Sequence, residues 1–296
     1  MPAITIENHY VETFSQNVRM LAEQTNSFLL PYVTSETDVG EALAIDRMGS
    51  IGPPEEVTSL YQDTNLSEGS FDRRWLFPRD YNLGSLIDKV SKVRMLSDPN
   101  SRITMRHAGA FGRHLDDSII AAMVGNAQSG KTQGSLTSVA LPAGQQISSS
   151  TLNLAALQEI VYMFQANDYM SQDGMGNVPQ IIGVCSPWAL TRQLLGTTQA
   201  SSADYNTVKT LVSGQIDTFM GIKFVVTNRL PLSGSTRTCL FFSPQHAVHM
   251  GWNMPIVSTV SNRPDKRNIP QILTEGMWGC TRVEDEAVVA LDITES

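Results

Sequence analysis

SDPNSRITMRHAGAFGRHLDDSIIAAMVGNAQSGKT, residues 97–132, holds two incompatible readings of one chain. Its last eight residues, Gly125 to Thr132, fit G-x-x-x-x-G-K-[ST] at every defined position. In a nucleotide-binding loop the glycines let backbone N–H groups form a nest, a lysine such as Lys131 reaches the outer phosphates, and a hydroxyl such as that of Thr132 holds magnesium. That nest requires a buried strand before it and a helix after it. Here the preceding residues read as a long helix over 98–124, with Asp98 as N-cap, Pro99 at the first helical position and Gly125 as the stop. The following residues, TQGSLTSVALPAGQQISSS, are rich in Gly, Ser, Gln and Thr and broken by Pro142. The stretch therefore predicts a helix terminus and a polar turn rather than a phosphate cradle. At 1.5 Å per residue the helix would be about 40 Å long. Its apolar positions are Ile103, Ala110, Phe111, Leu115, Ile119 and Met123, and Gly109 and Gly112 lower its intrinsic stability while allowing another backbone to come close.

The 296 residues suffice for one large domain or two lobes, and with 41% apolar and 17% charged residues the chain is globular in composition. No apolar run approaches the ~20 residues that span a bilayer, and MPAITIENHY lacks the basic-then-apolar pattern of a secretory leader. A soluble protein with no membrane partner is expected. Cys185, Cys239 and Cys280 are odd in number and far apart, which suggests buried small hydrophobes and neither a disulfide framework nor a zinc knuckle.

Charge is segregated along the chain, whose net charge is −8. Between Ser35 and Asp72 lie nine acidic residues, among them Glu55, Glu56, Asp63 and Glu68, against Arg47 alone. From Arg73 to Arg113 lie nine basic residues, including Arg73, Arg74, Arg102, Arg106 and Arg113, against three acidic ones. Such blocks are either two solvated faces or complementary docking surfaces, within a chain or between copies. The acidic block carries too little apolar area for a core of its own, so residues 35–74 are expected to project as a loop or hairpin returning through FDRRWLFP, with Arg73, Trp75 and Phe77 on one face.

Residues 7–29 carry Val11, Phe14, Val18, Leu21 and Phe28 at helical spacing, an amphipathic segment ended by Pro31. The second half mixes elements without regular alternation: helices at 152–167, within PWALTRQLLG and within SADYNTVKTLVSG, and strands in PQIIGVCSP, through Val226, in TCLFFS, near MWGCTRV and in AVVALDI. An α+β fold follows. His246 and His249 in HAVH have a spacing that could serve a metal but lack a third ligand. Tyr205 and Lys209 have the spacing of short-chain dehydrogenases without their glycine fingerprint. Asp116-Asp117 and Glu55-Glu56 read as helix-surface and loop acids, and there is no G-x-S-x-G elbow. No catalytic residue, metal site or cofactor is expected, and the chain reads as a binding or building protein rather than an enzyme.

The order of features, an amphipathic arm, an acidic loop returning through RRWLFP, then LIDKVSKVRMLSDPNSRITMRHAGAFGRHLDDSIIAAMVGNAQSGK and a second lobe ending in NRLP, resembles the major capsid proteins of tailed bacteriophages, with their Hong Kong 97-like shell fold. The resemblance implies an N-terminal arm at 1–34, an extended loop at 35–74, a peripheral lobe at 75–149 and 256–296 that includes a spine helix at 98–124, and an axial lobe at 150–255. It implies an icosahedral shell built from hexamers and pentamers around packaged double-stranded DNA, assembled in the bacterial host cytoplasm and residing in the virion. Scaffolding, portal and decoration proteins are the further partners it suggests, with non-specific contact to DNA. Glu55, Glu56, Asp63 and Glu68 are then expected to face Arg73, Arg74, Arg102, Arg106 and Arg113 of an adjacent copy. An encapsulin-type compartment shares this fold and differs in its contents, and a phosphate-loop enzyme acting through GNAQSGKT is the third reading.

Overall fold

The computed structural model describes residues 24–49, 51–59, 62–64, 66, 69–86, 100–170, 180–194 and 218–295. In chain order the strands are β1 (Thr34–Thr37), β2 (Leu43–Met48), β3 (Phe71–Leu76) and β4 (Arg79–Leu86), followed by helix α1 (Asn100–Val124). Next come β5 (Ala127–Ser129), β6 (Thr137–Val139), β7 (Gln146–Ser148), helix α2 (Leu154–Ala166) and β8 (Ile181–Cys185). The chain continues through β9 (Thr218–Phe219), β10 (Ile222–Val226), β11 (Leu232–Ser233) and β12 (Thr236–Phe242). It closes with β13 (Val248–Arg263), β14 (Ile269–Arg282) and β15 (Val288–Thr294). Residues 7–23 of the predicted 7–29 helix, the Asp98 cap and the 202–214 helix lie outside the described residues.

Two compact units divide the chain, and boundaries between them fall inside β4, α1, β13 and β14. The first comprises residues 1–26, 81–113 and 255–276. There the outer parts of β13 and β14 form a hairpin closed by a 3-10 turn at Pro264–Lys266, with Arg267 and Asn268 in the left-handed region. His107 of α1 is 5% exposed and bridges the sheet: Nε2 is 2.8 Å from Ser85 Oγ on β4, and Nδ1 is 3.2 Å from Thr274 Oγ1 on β14. Thr274 in turn meets Ser258 of β13 at 2.8 Å. Gly109 faces the backbone of Gln24 and Thr25, where an added Cβ would lie 3.4 Å from the Gln24 carbonyl oxygen. This is the close backbone approach that its position in a helix suggested.

The second unit comprises residues 27–80, 114–254 and 277–296. Its centre is a seven-stranded sheet, in which β7-β15-β12-β8-β10-β9 run in that order and β11 pairs with β12. IIGVC of β8 is buried at every position, as a strand covered on both faces must be. Asn153 caps α2 by accepting from the Ala156 amide at 2.8 Å, and the helix turns Leu157, Ile160 and Phe164, each fully buried, into the core with Ile119 and Met123 of α1. Gly183 is required where it stands: a Cβ there would lie 2.9 Å from both the Ile222 side chain and the Phe241 ring.

Three expectations are corrected. Residues 24–29 are not helical; a 3-10 turn spans Leu30–Tyr32, because Ser27 and the amides of Phe28 and Leu29 turn onto Asp116 instead. Residues 34–37 do not project, since β1 pairs in parallel with 249–252 of the same chain. The C-terminal strand β15 belongs to the sheet built mainly from the predicted axial segment, where Val288–Thr294 pairs antiparallel with all of β12. Its apolar run VVAL is buried by that pairing.

Asp116 was read as a surface acid, yet it is 0% exposed and accepts from Ser27 Oγ at 2.5 Å and from the Phe28 and Leu29 amides at 3.1 Å each. Asp116→Ala strands those donors and is expected to destabilise the subunit by about 3 kcal/mol, seen as a lower urea midpoint. His107 is expected to add a pH dependence. Burial holds its pKa below the usual 6.5, so the neutral ring is the folded form. Its contribution is complete above pH 6.5 and declines as the pH falls from there toward the folded-state value. His107→Gln should flatten this part of a stability profile against pH.

Candidate assembly surface

The acidic loop is rooted on β2 and β3, which pair antiparallel from Leu43 opposite Leu76 to Met48 opposite Phe71. A last backbone bond, from the Gly49 amide to the Ser70 carbonyl at 2.7 Å, closes the ladder. β3 also pairs with β5, and β5 with β6, giving a four-stranded sheet. Alternation along β3 sorts its side chains. Arg73, Trp75 and Phe77 share one face as predicted: the Arg73 guanidinium stands 5.9 Å from the Trp75 ring centroid, and the Trp75 and Phe77 rings stack at 6.4 Å. On the other face Arg74 and Leu76 are buried, at 2% and 1% exposure.

Charge neutralisation at this root is local. Arg73 forms a two-pronged bond to Asp46, its direct cross-strand partner, at 2.5 and 3.2 Å. Arg47 meets Asp72, again its direct partner, at 3.2 Å. The hydrogen bond from Arg73 holds the Asp46 carboxyl below its usual pKa. At Asp72 burial acts upward but is outweighed by the Ser129 hydroxyl, the Arg73 amide, Arg74 and Arg47, so this carboxyl too is lowered. Beneath them, Arg74 Nη2 and Arg282 Nε both bond the Asp285 carboxylate at 2.7 Å. Arg282, fully buried, also donates to the carbonyls of Met123 at 2.9 Å, Gly125 at 2.6 Å and Val139 at 3.0 Å. One guanidinium thus fixes the end of α1, the turn after it and β6.

That arrangement disposes of the phosphate-loop reading. Residues 127–129 are a strand following a helix, the reverse of the order a phosphate nest needs. The Gly130 amide is spent on the Arg73 carbonyl at 3.2 Å. The Gly130 carbonyl accepts from Trp75 Nε1 at 2.7 Å, and the Lys131 carbonyl accepts from Arg73 at 3.3 Å. The Gly125 amide closes the helix on Ala121 at 2.8 Å.

Beyond Met48 and Phe71, the described loop residues are almost all solvent-exposed. Glu55, Glu56 and Asp63 are exposed, and so are five large apolar side chains: Met48 (55%), Ile51 (55%), Val57 (75%), Leu66 (86%) and Phe71 (77%). A cleft of about 310 Å³ lies at the loop root, bounded by Met48, Gly49 and Ser70 on one side and by Tyr169, Glu284 and Glu286 on the other. Tyr169 donates to Glu284 at 2.5 Å, and burial together with that carboxylate pushes its phenol pKa up.

The other predicted residues are scattered. Glu68 lies outside the described residues, as do Tyr205 and Lys209. Arg102 lies on α1, and its side chain is not among those described. Arg106 and Arg113 are half-buried on the same helix, and Arg113 donates to the Gln24 carbonyl at 2.8 Å. Arg74 is a correction, because its burial and its bond to Asp285 remove it from the exposed cations. His246 and His249 face different carboxylates, Glu284 at 3.6 Å and Glu36 at 3.3 Å. Among the described residues, no three of His, Cys, Asp and Glu are grouped to hold a metal ion. Asp117 pairs with Arg229 through both guanidinium arms. Sequence reading missed Arg282 and Asp285, whose only signal was two charges flanking a terminal apolar strand.

A family model described as phage capsid protein matches residues 6–295. No curated protein matches the chain. Among solved structures, the chain is similar to the capsid of Ralstonia phage GP4, at 12% identity and a TM-score of 0.73 over 100% of this chain and 98% of that one. It is similar to the capsid of Cyanophage Pam1, at 13% identity and 0.73 over 97% of each chain. It is also similar to the capsid of Cyanophage P-SCSP1u, at 15% identity and 0.71 over 100% and 96%. At such identities the likeness establishes the fold, an α+β arrangement of the Hong Kong 97-like kind.

The buried hub gives a direct test. Asp285→Ala leaves Arg74 and Arg282 without their carboxylate and is expected to cost about 3–5 kcal/mol in urea unfolding. Asp46→Ala, which removes only the exposed pair with Arg73, should leave the midpoint almost unchanged.

Proposed function

The chain belongs to the phage capsid protein family, a structural component of a virion shell, and from that premise we propose that its loop at 48–71 binds across a neighbouring copy during shell assembly. The observation that carries this reading is the exposure of Met48, Ile51, Val57, Leu66 and Phe71 on one acidic loop. Five such side chains left in water are a recurring cost that burial against a partner would relieve, at roughly 25 cal/mol per Å² of apolar surface covered. Carboxylates beside them restrict what the partner can be. Glu55, Glu56 and Asp63 oppose anionic surfaces such as DNA and favour a basic one, and Glu68 extends the same acidic segment.

The counterpart lies among Arg102, Arg106 and Arg113 on the spine helix of the neighbouring copy. These three cations belong to the basic stretch that follows the acidic block in sequence, whereas Arg74 is buried against Asp285 and Arg73 is held by Asp46; Arg113 also donates to the Gln24 carbonyl of its own chain. A closed shell repeats each such contact by symmetry, so pairs worth up to about 1 kcal/mol apiece become decisive for assembly while contributing little to the fold of one subunit. In this reading the copies form hexamers and pentamers of an icosahedral shell around double-stranded DNA. The overall charge of −8 keeps contact with the genome weak and non-specific. Scaffolding, portal and decoration proteins complete the expected partners, and assembly takes place in the host cytoplasm.

The double reversal Glu55→Lys with Glu56→Lys is expected to reduce closed-particle yield at least several-fold by sedimentation and negative-stain microscopy. The urea midpoint of the subunit should stay within about 0.5 kcal/mol of the parent. Val57→Asp should act the same way through the apolar part of the contact. Undiminished particle yield in both variants would overturn the docking model.

A further inference from the structure

Cys185 and Cys239 lie at the centre of the seven-stranded sheet, and both are fully buried. β8 and β12 pair antiparallel, with Val184 opposite Leu240 and Gly183 opposite Phe241. Continuing that register by one residue puts Cys185 directly opposite Cys239 on one face of the sheet. Facing pairs of this kind have Cα atoms about 4.5–5.5 Å apart, inside the 4.4–6.8 Å range that a disulfide spans. The two thiols perturb each other's ionisation, the pKa of Cys185 being raised and that of Cys239 lowered. Both sulfurs are free thiols. Cys280 stands apart on β14.

We propose that Cys185 and Cys239 are an oxidisable pair that closes into a cross-strand disulfide, stapling β8 to β12 once the subunit leaves a reducing compartment. The compartment change rests on the reading of this chain as a shell component made inside a cell and carried out of it. The thiol chemistry does not. Cys239 is the attacking sulfur: its neighbours Cys185 and the Ser186 backbone lower its pKa, whereas Cys239 and burial raise the pKa of Cys185. The Cys239 thiolate attacks one sulfur of a small oxidised disulfide such as glutathione disulfide and expels one glutathione thiolate. Cys185, losing its proton to that thiolate, attacks Cys239 in the mixed disulfide and expels the second. Two electrons pass from the pair to the reagent, which leaves as two molecules of glutathione thiol. Both sulfurs are fully buried, so the reagent reaches them through transient opening of the sheet, which sub-denaturing urea promotes.

The staple closes a loop of several tens of residues between two core strands. By loop-closure entropy it is expected to raise the melting temperature by about 5 °C.

The experiment incubates purified full-length protein, as subunits and as particles, with oxidised glutathione, in buffer and in sub-denaturing urea. Free thiols are then blocked and peptides mapped by mass spectrometry without reduction. A Cys185–Cys239 linked peptide is expected, two mass units below the sum of its parts, with Cys280 blocked as a free thiol. The melting temperature should rise and return to its starting value with dithiothreitol, and Cys239→Ser should show no rise. The proposal is overturned if both thiols stay free even in sub-denaturing urea, if only glutathione adducts accumulate, if either cysteine pairs with Cys280, or if the link forms without a thermal shift. Particle yield plays no part in these readouts, so failure here is distinguishable from failure of the docking model.

Discussion

Arg282 is a guanidinium without solvent exposure, and burying a charge of that kind costs several kcal/mol unless its geometry is nearly complete. The chain comes close to completing it. Asp285 supplies the counter-charge and shares it with Arg74, while three carbonyls from α1, the turn after it and β6 take three of the four other N–H groups. A network of this kind contributes less to net stability than its contacts suggest, since desolvation offsets most of the gain. What it imposes is uniqueness, because no displaced register of these segments would satisfy the same donors.

That uniqueness reaches the acidic loop. Arg74 belongs to the network and also to β3, so the strand leaving the loop is fixed by the same carboxylate that anchors Arg282. Above it, Asp46 with Arg73 and Asp72 with Arg47 pair across the ladder and neutralise the root. The result is a loop with a rigid base and, among its described residues, an exposed tip, acidic and apolar at once. For a subunit that joins with copies of itself, a fixed base limits the entropy lost on docking. In the proposed docking, the exposed side chains of Met48, Ile51, Val57, Leu66 and Phe71 are the apolar area that another copy would cover.

The stretch GNAQSGKT shows how a short pattern is overruled by its surroundings. Every residue type that a phosphate nest needs is present, but the amide of Gly130 and the carbonyls of Gly130 and Lys131 are committed to β3. The pattern records composition, and function depends on which backbone groups remain unpaired.

Elements governed by neighbours in sequence were legible before any coordinates. The long helix stopping at Gly125, the helix at 154–166, the buried strand IIGVC and the returning strand FDRRWL each follow from periodicity, caps and breakers, which act over a few residues. The exposed character of the loop was legible too, since a segment so poor in apolar area cannot bury itself. What only the tertiary structure decided are pairings between residues far apart in sequence. Asp116, one of two adjacent helix acids, is the buried acceptor for Ser27, Phe28 and Leu29, whereas its neighbour Asp117 pairs with Arg229. β13 runs for 16 residues through Gly251 and Pro255, breakers that hid it. β15 joined the central sheet because β12 offered a matching edge across about fifty residues of chain. Local conformation is set by steric and entropic terms that each residue carries with it, whereas burial and charge pairing depend on which distant segment arrives, and no window of sequence contains that information.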